Sequence, residues 1–233
     1  MASNTPLIDA EVLREFLNKA EPFLTEEYLC RLSSDLELRR RCVAERYPDW
    51  PDLWNLVSAT KRLAAEERAA WQPQLSPMRP LLKQADVHAV LAGLEEMSDP
   101  RPKWLVDWAT FWAHAANPEV VWWARWVYAP TAETGALLLL LDNPTVLQGA
   151  RDLTAQYRRV SDAVRFLKAV LESTRSLDTV AAEYRPVVTL AVVYTVYMFT
   201  MASWKLTEEF TQVLPPFPTV VRMVLGLNRW EGK

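Results

Sequence analysis

Imidazole chemistry has only two carriers in this chain, His88 and His114. Asp107 lies seven residues before His114, and on a helix that spacing puts two side chains at nearly the same azimuth, two turns apart. About 10.5 Å of axial rise separates them, so they form no ready-made dyad. The plain expectation is two polar residues on the solvated flank of an amphipathic helix, with Lys103 one turn before Asp107. Cys30 and Cys42 are the only thiols. Without His or Cys at ligand spacing they indicate neither zinc nor a disulfide framework, and two free thiols are expected. No HExxH, no ExxH pair, no aspartate-rich diphosphate motif and no G-x-S-x-G elbow occurs; hydrolases of those kinds lack their marks. The five glycines, Gly93, Gly135, Gly149, Gly226 and Gly232, are too dispersed for a phosphate loop or dinucleotide fingerprint, which excludes P-loop and Rossmann-type nucleotide enzymes. Catalytic residues, a metal and a cofactor are therefore not expected, and the enzyme question leans towards no.

The unusual material is aromatic. Eleven tryptophans accompany those five glycines and sixteen prolines. Trp104, Trp108 and Trp112 recur every four residues, and Trp122, Trp123 and Trp126 crowd the next stretch. Each indole buries on the order of 200 Å² and usually needs a partner for its N–H. Four-residue spacing is what core packing requires, so the first reading is a core filled by two facing helices. Trp123 points away from the Trp122 and Trp126 line and is the member expected to be exposed as an interface anchor. The alternative is a pocket for an apolar or aromatic small molecule, lined by Trp104, Trp108, Trp112, Trp122 and Trp126, with Asp107 or His114 supplying polarity.

Charge offers a second candidate. Arg151, Arg158 and Arg165 repeat every seven residues, joined by Arg159 and Lys168, with only Asp152 and Asp162 nearby. This basic stripe on a long helix could meet an acidic partner surface. Nucleic acid is not expected as a direct ligand, because Lys plus Arg total 26 against 29 Asp plus Glu, a net charge of -3. The run Arg39-Arg40-Arg41 is matched by Asp35, Glu37 and Glu45 at helical spacing and reads as a solvated face.

Helices must position these residues, since 3.6-residue periodicity dominates and no period-2 run bounded by turns appears. The fold class expected is all-α, a multi-helix bundle with a charged N-terminal helical subdomain over 1–72, a Trp-rich bundle over 81–233 and little or no sheet. The proline-rich tract 73–80 connects them, and the two parts could pack as one domain. Helices are expected from about 8 to 21, from Thr25 as N-cap to about 47, and from 52 to 71. Further helices are expected at 81–97, 102–116, 118–128, 131–141, 144–173, 187–206 and 217–228, most punctuated by prolines at first-turn positions. Val146, Ala150, Leu153, Tyr157, Val160, Val164, Leu167 and Leu171 form a heptad-spaced seam. The segment 187–204 carries no charge. Its Thr, Ser and mid-segment Tyr favour a core helix over a membrane span.

The leading functional expectation is a non-catalytic interaction protein, an adaptor or accessory subunit, binding another protein through Arg151, Arg158, Arg159, Arg165 and Trp123, or a copy of itself. A small-molecule-binding protein or enzyme with a Trp-lined pocket is the alternative, and a membrane-associated helical protein a third. The opening MASNTPLIDAEVLREF has no basic stretch followed by an apolar one, so a cytoplasmic location is expected.

Overall fold

A computed structural model describes residues 7–97, 102–205 and 215–230. Residue 206, the end of one expected helix, lies outside the described residues. The architecture is all-α: α1 (Ala10–Ala20), α2 (Glu26–Glu45), α3 (Trp50–Asn55), α4 (Ala65–Leu75), α5 (Arg79–Lys83), α6 (Val87–Glu95), α7 (Trp104–Ala116), α8 (Ala136–Leu140), α9 (Leu153–Thr174), α10 (Arg185–Lys205) and α11 (Phe217–Val224). Among the described residues there is no sheet, only isolated bridges between Ile8 and Leu141 and between Ala129 and Thr134.

Side-chain caps set the helix starts. Asp9, Thr25, Asp49, Asp86 and Asp152 each accept from backbone N–H groups of the first turn they precede, which satisfies donors that the helix itself leaves open. The tract 73–80 is itself mostly helical. Pro73 sits inside α4, Pro77 in the 3-10 turn Ser76–Met78 and Pro80 in the first turn of α5. The expected third helix divides into α3 and α4, because the intervening chain turns to bury Leu56 and Val57 and to let the Thr60 hydroxyl donate to the Trp54 carbonyl.

The centre of the molecule is α10, buried on every side from Val187 to Val193 and packed on α1, α8, α9 and α11. Among the described residues no helix is long and apolar enough to cross a membrane; protein surrounds this one. Across α9, Tyr157, Val160, Val164, Leu167 and Leu171 of the seam are buried. Val146 and Ala150 precede that helix, in the 3-10 turn Pro144–Leu147 and the chain after it.

Of two expected helices, 118–128 is absent and 131–141 is shortened. Residues 117–135 contain no α-helix, and of 131–141 only Ala136–Leu140 is helical. The reason lies in the consecutive bulky residues Val120, Val121, Trp122 and Trp123. A helix buries one stripe, whereas irregular, partly extended chain throws neighbouring side chains to different sides, and here it buries Trp122 and Trp123 and half-buries Val120 and Val121. Trp122 packs edge-on against Phe111 and Trp126, while its neighbour Trp123 meets Tyr157.

The N-terminal elements pack on α7. Both indole N–H groups of Trp108 and Trp112 donate to the Leu53 carbonyl, at 2.8 and 3.2 Å. Trp54 stacks on Trp50 and Trp108, and Trp104 meets Trp54 and Trp71 edge-on. Arg39, expected on a solvated face, is 2% exposed. Its guanidinium donates to the Leu225 carbonyl at 2.9 Å and lies over the Phe111 ring. Asp35, its expected partner, pairs with Arg222 instead, and Glu37 takes Arg40 and, more weakly, Arg41.

Candidate functional site

A loop longer than roughly 12–15 residues without regular structure is uncommon inside a compact domain and usually carries function. Residues 117–135 form such a segment, and side chains from two helices fix it. The His114 Nδ1 bonds the Val120 carbonyl at 2.7 Å. The Tyr157 hydroxyl accepts from the Val121 N–H and donates to the Val121 carbonyl. The Trp122 indole donates to Asp107 Oδ1 at 2.8 Å, and the Trp123 N–H donates to the Thr110 hydroxyl at 3.0 Å. Four consecutive residues are thus held by side chains of α7 and α9, which replaces the ladder that a helix or sheet would supply.

The chain so held walls a cavity of about 170 Å³, with Lys103, Val106 and Asp107 of α7 and its N-cap on one side and Leu153 at the start of α9. Trp123, Arg125, Tyr128, Ala129, Pro130 and Thr131 complete it. The walls are largely apolar. Asp107 is the one carboxylate among the lining residues, and Lys103 and Arg125 are exposed at the margin. Neither cation has a hydrogen-bonded or ion-paired partner among the described residues.

Burial pushes the Asp107 carboxyl up to about 6. The Trp122 N–H and the charges of Arg125 and Arg229 pull the other way without cancelling it. Arg229 donates to the Ser58 hydroxyl at 2.6 Å, while its Nε and Nη1 are buried without a partner among the described residues. His114 is pulled down to about 3 by burial and then by the positive charge of Arg39, against the smaller pull of the Val120 carbonyl. That carbonyl can only accept, so Nδ1 carries the proton and Nε2 is bare.

The structure sorts the expected site residues. Asp107 and His114 are not on a solvated flank: His114 is 3% exposed and Asp107 faces the cavity. They meet through Trp122, which hydrogen-bonds the one and stacks on the other. Trp108 and Trp112 are wholly buried, and Trp104, Trp108, Trp112, Trp122 and Trp126 do not line this cavity. Trp123, expected to be exposed, is 6% exposed; its indole N–H is satisfied by the Tyr128 carbonyl at 2.9 Å, and its ring forms cavity wall.

The arginine stripe is dispersed. Arg151 precedes α9, and Arg159 turns back to the Val146 and Gln148 carbonyls. Arg165 pairs with Asp162, and Lys168 with Glu119. Arg158 is exposed. Lys103, Arg125, Val106, Tyr128 and Leu153 were not named as site residues from sequence. Lys103 and Val106 lie close in the chain to Asp107, and Arg125 and Tyr128 to Trp123, whereas Leu153 is near neither; their convergence depends on the irregular course of 117–135.

Cys30 and Cys42 are free thiols, and among the described residues no cluster of three or more His, Cys, Asp or Glu side chains could hold a metal. No protein family, curated protein or solved structure matches the chain.

Proposed function

We propose that this protein binds a small, largely apolar molecule in the Asp107 cavity. The observation that supports it is the pairing of one half-buried carboxyl with apolar walls in a space of about 170 Å³. A dry cavity of roughly 150 Å³ accommodates a benzene-sized guest, so the ligand class is a single ring or its aliphatic equivalent. A well-formed apolar pocket holding a few polar groups, one of them strongly perturbed, is the general signature of a binding site. We place this activity in the cytoplasm, where two free thiols are ordinary.

Titration with benzyl alcohol, followed by amide NMR, tests the reading. The expected result is saturable shifts at Val106, Asp107, Trp123, Tyr128 and Ala129, lost in Val106→Phe, which fills the space from α7. Saturable binding that survives Val106→Phe, or no binding, would remove it.

A second reading, an adaptor or accessory subunit that docks an acidic protein surface, is supported by Arg158 and Arg151. Both are exposed, with no carboxylate partner among the described residues. Inward tryptophans withdraw the aromatic half of its motivation. Light scattering after size exclusion and a pull-down comparing wild type with Arg151→Glu/Arg158→Glu test it. A partner or self-association lost in that variant is the expected result, and a strict monomer capturing nothing counts against it.

A further inference from the structure

Two cations with no hydrogen-bonded or ion-paired partner among the described residues line a largely apolar cavity, and we infer that its ligand is an organic monocarboxylate with a ring-sized body. This inference rests on the pocket reading above and adds the ligand's charge. Lys103 and Arg125 both line the cavity and both are exposed, so their charged ends reach its solvent side. Asp107 is the more deeply placed, and its Oδ1 is occupied by the Trp122 N–H. A molecule with its ring against Trp123, Tyr128, Val106 and Leu153 would carry its carboxylate outward, to the two cations and away from Asp107. Arginine's planar fork matches a carboxylate's two oxygens, and lysine adds a point charge. An amine in the same pose would meet two like charges before reaching Asp107.

The other candidate sites in the molecule are weaker. The cleft of about 240 Å³ lined by His88, Tyr157, Ser161 and Arg165 also presents Asp86 and Glu119, so its lining charge favours no one ligand. His114 lines a cavity of about 40 Å³ that accommodates little more than a water molecule.

Benzoate, benzyl alcohol and benzylamine share one ring and differ in charge, and they separate the possibilities by calorimetry or amide NMR at pH 7 and low salt. Solvent-exposed ion pairs contribute modestly, so two of them predict that benzoate binds roughly twofold to thirtyfold more tightly than benzyl alcohol. Lys103→Gln/Arg125→Gln, at exposed positions, is expected to bring benzoate to parity with benzyl alcohol. Asp107→Asn is expected to tighten benzoate further, since it removes the one like charge. Equal affinity for benzoate and benzyl alcohol in the wild type, or tightest binding of benzylamine, would overturn the carboxylate inference and leave the pocket reading intact. Failure of all three probes to shift the cavity amides would overturn both.

Discussion

Asp107→Asn isolates the cost of the charge in the pocket. Asparagine keeps the oxygen that accepts from the Trp122 indole and removes only the ionisation. In the folded protein the carboxyl is raised from 3.8 to about 6, chiefly by burial. Between those two values the folded state holds a proton that the unfolded chain has released, so stability declines as pH rises through that window. Each pH unit costs 1.36 kcal/mol, which sums to about 3 kcal/mol at pH 7. Because Asp107 is only half-buried and lines the cavity, solvent screening lowers this to roughly 2 kcal/mol.

Urea unfolding of wild type and variant, followed by tryptophan fluorescence from pH 4 to 8, reads the difference directly. The two proteins are expected to converge near pH 4. The variant then gains by up to 1.36 kcal/mol per pH unit and levels off above about pH 7, the more stable by roughly 2 kcal/mol. A difference that stays constant with pH would refute the reasoning. Wild type gaining on the variant as pH rises would show that Arg125 and Arg229 outweigh desolvation, and would refute it equally.

Three further outcomes are expected. His114 refuses a proton down to about pH 3 while the unfolded chain accepts it below about 6.5, so stability is lost as pH falls through that interval. His114→Asn, which can still donate to the Val120 carbonyl, is expected to lose this dependence when compared with wild type by urea unfolding. Arg39→Met keeps the packing over Phe111 and removes the charge that depresses His114; NMR titration is expected to find the His114 pKa higher, and no change would show that burial acts alone. Gly135 has φ +129°, and a Cβ there would stand 2.5 Å from the Val127 carbonyl oxygen and 2.8 Å from the Tyr128 Cα. Gly135→Ala is therefore expected to cost on the order of 3 kcal/mol or more through backbone strain and the clash, seen as a lowered Tm and weakened benzyl alcohol binding.

The helical class was legible because it depends on local spacing. Thr25 caps α2 as its sequence context indicated, accepting from the Tyr28 N–H at 3.2 Å. The four-residue interval of Trp104, Trp108 and Trp112 marked one packed face, and two of those rings are wholly buried. The site was less legible because its geometry is settled by contacts distant in the chain. Trp122 and Trp126 are four apart and satisfy a helical pattern, yet the same pattern would have turned Trp123 outward. Three partners decide otherwise: the Thr110 hydroxyl on the Trp123 N–H, Tyr157 on Val121 and Asp107 on the Trp122 indole. Each lies more than ten residues from the group it holds, beyond the reach of any periodicity. Arg39 illustrates the same limit. Asp35 four residues before it offered a local partner, but the carbonyl that holds Arg39 belongs to Leu225. A cation can be buried there because a carbonyl oxygen and an aromatic face receive it together, and neither is recorded in the spacing of charges along α2. What periodicity can supply is the scaffold. The cavity arises where the chain departs from periodicity, between Asn117 and Gly135, where the side chains of α7 and α9 take over the bonding that the backbone gives up.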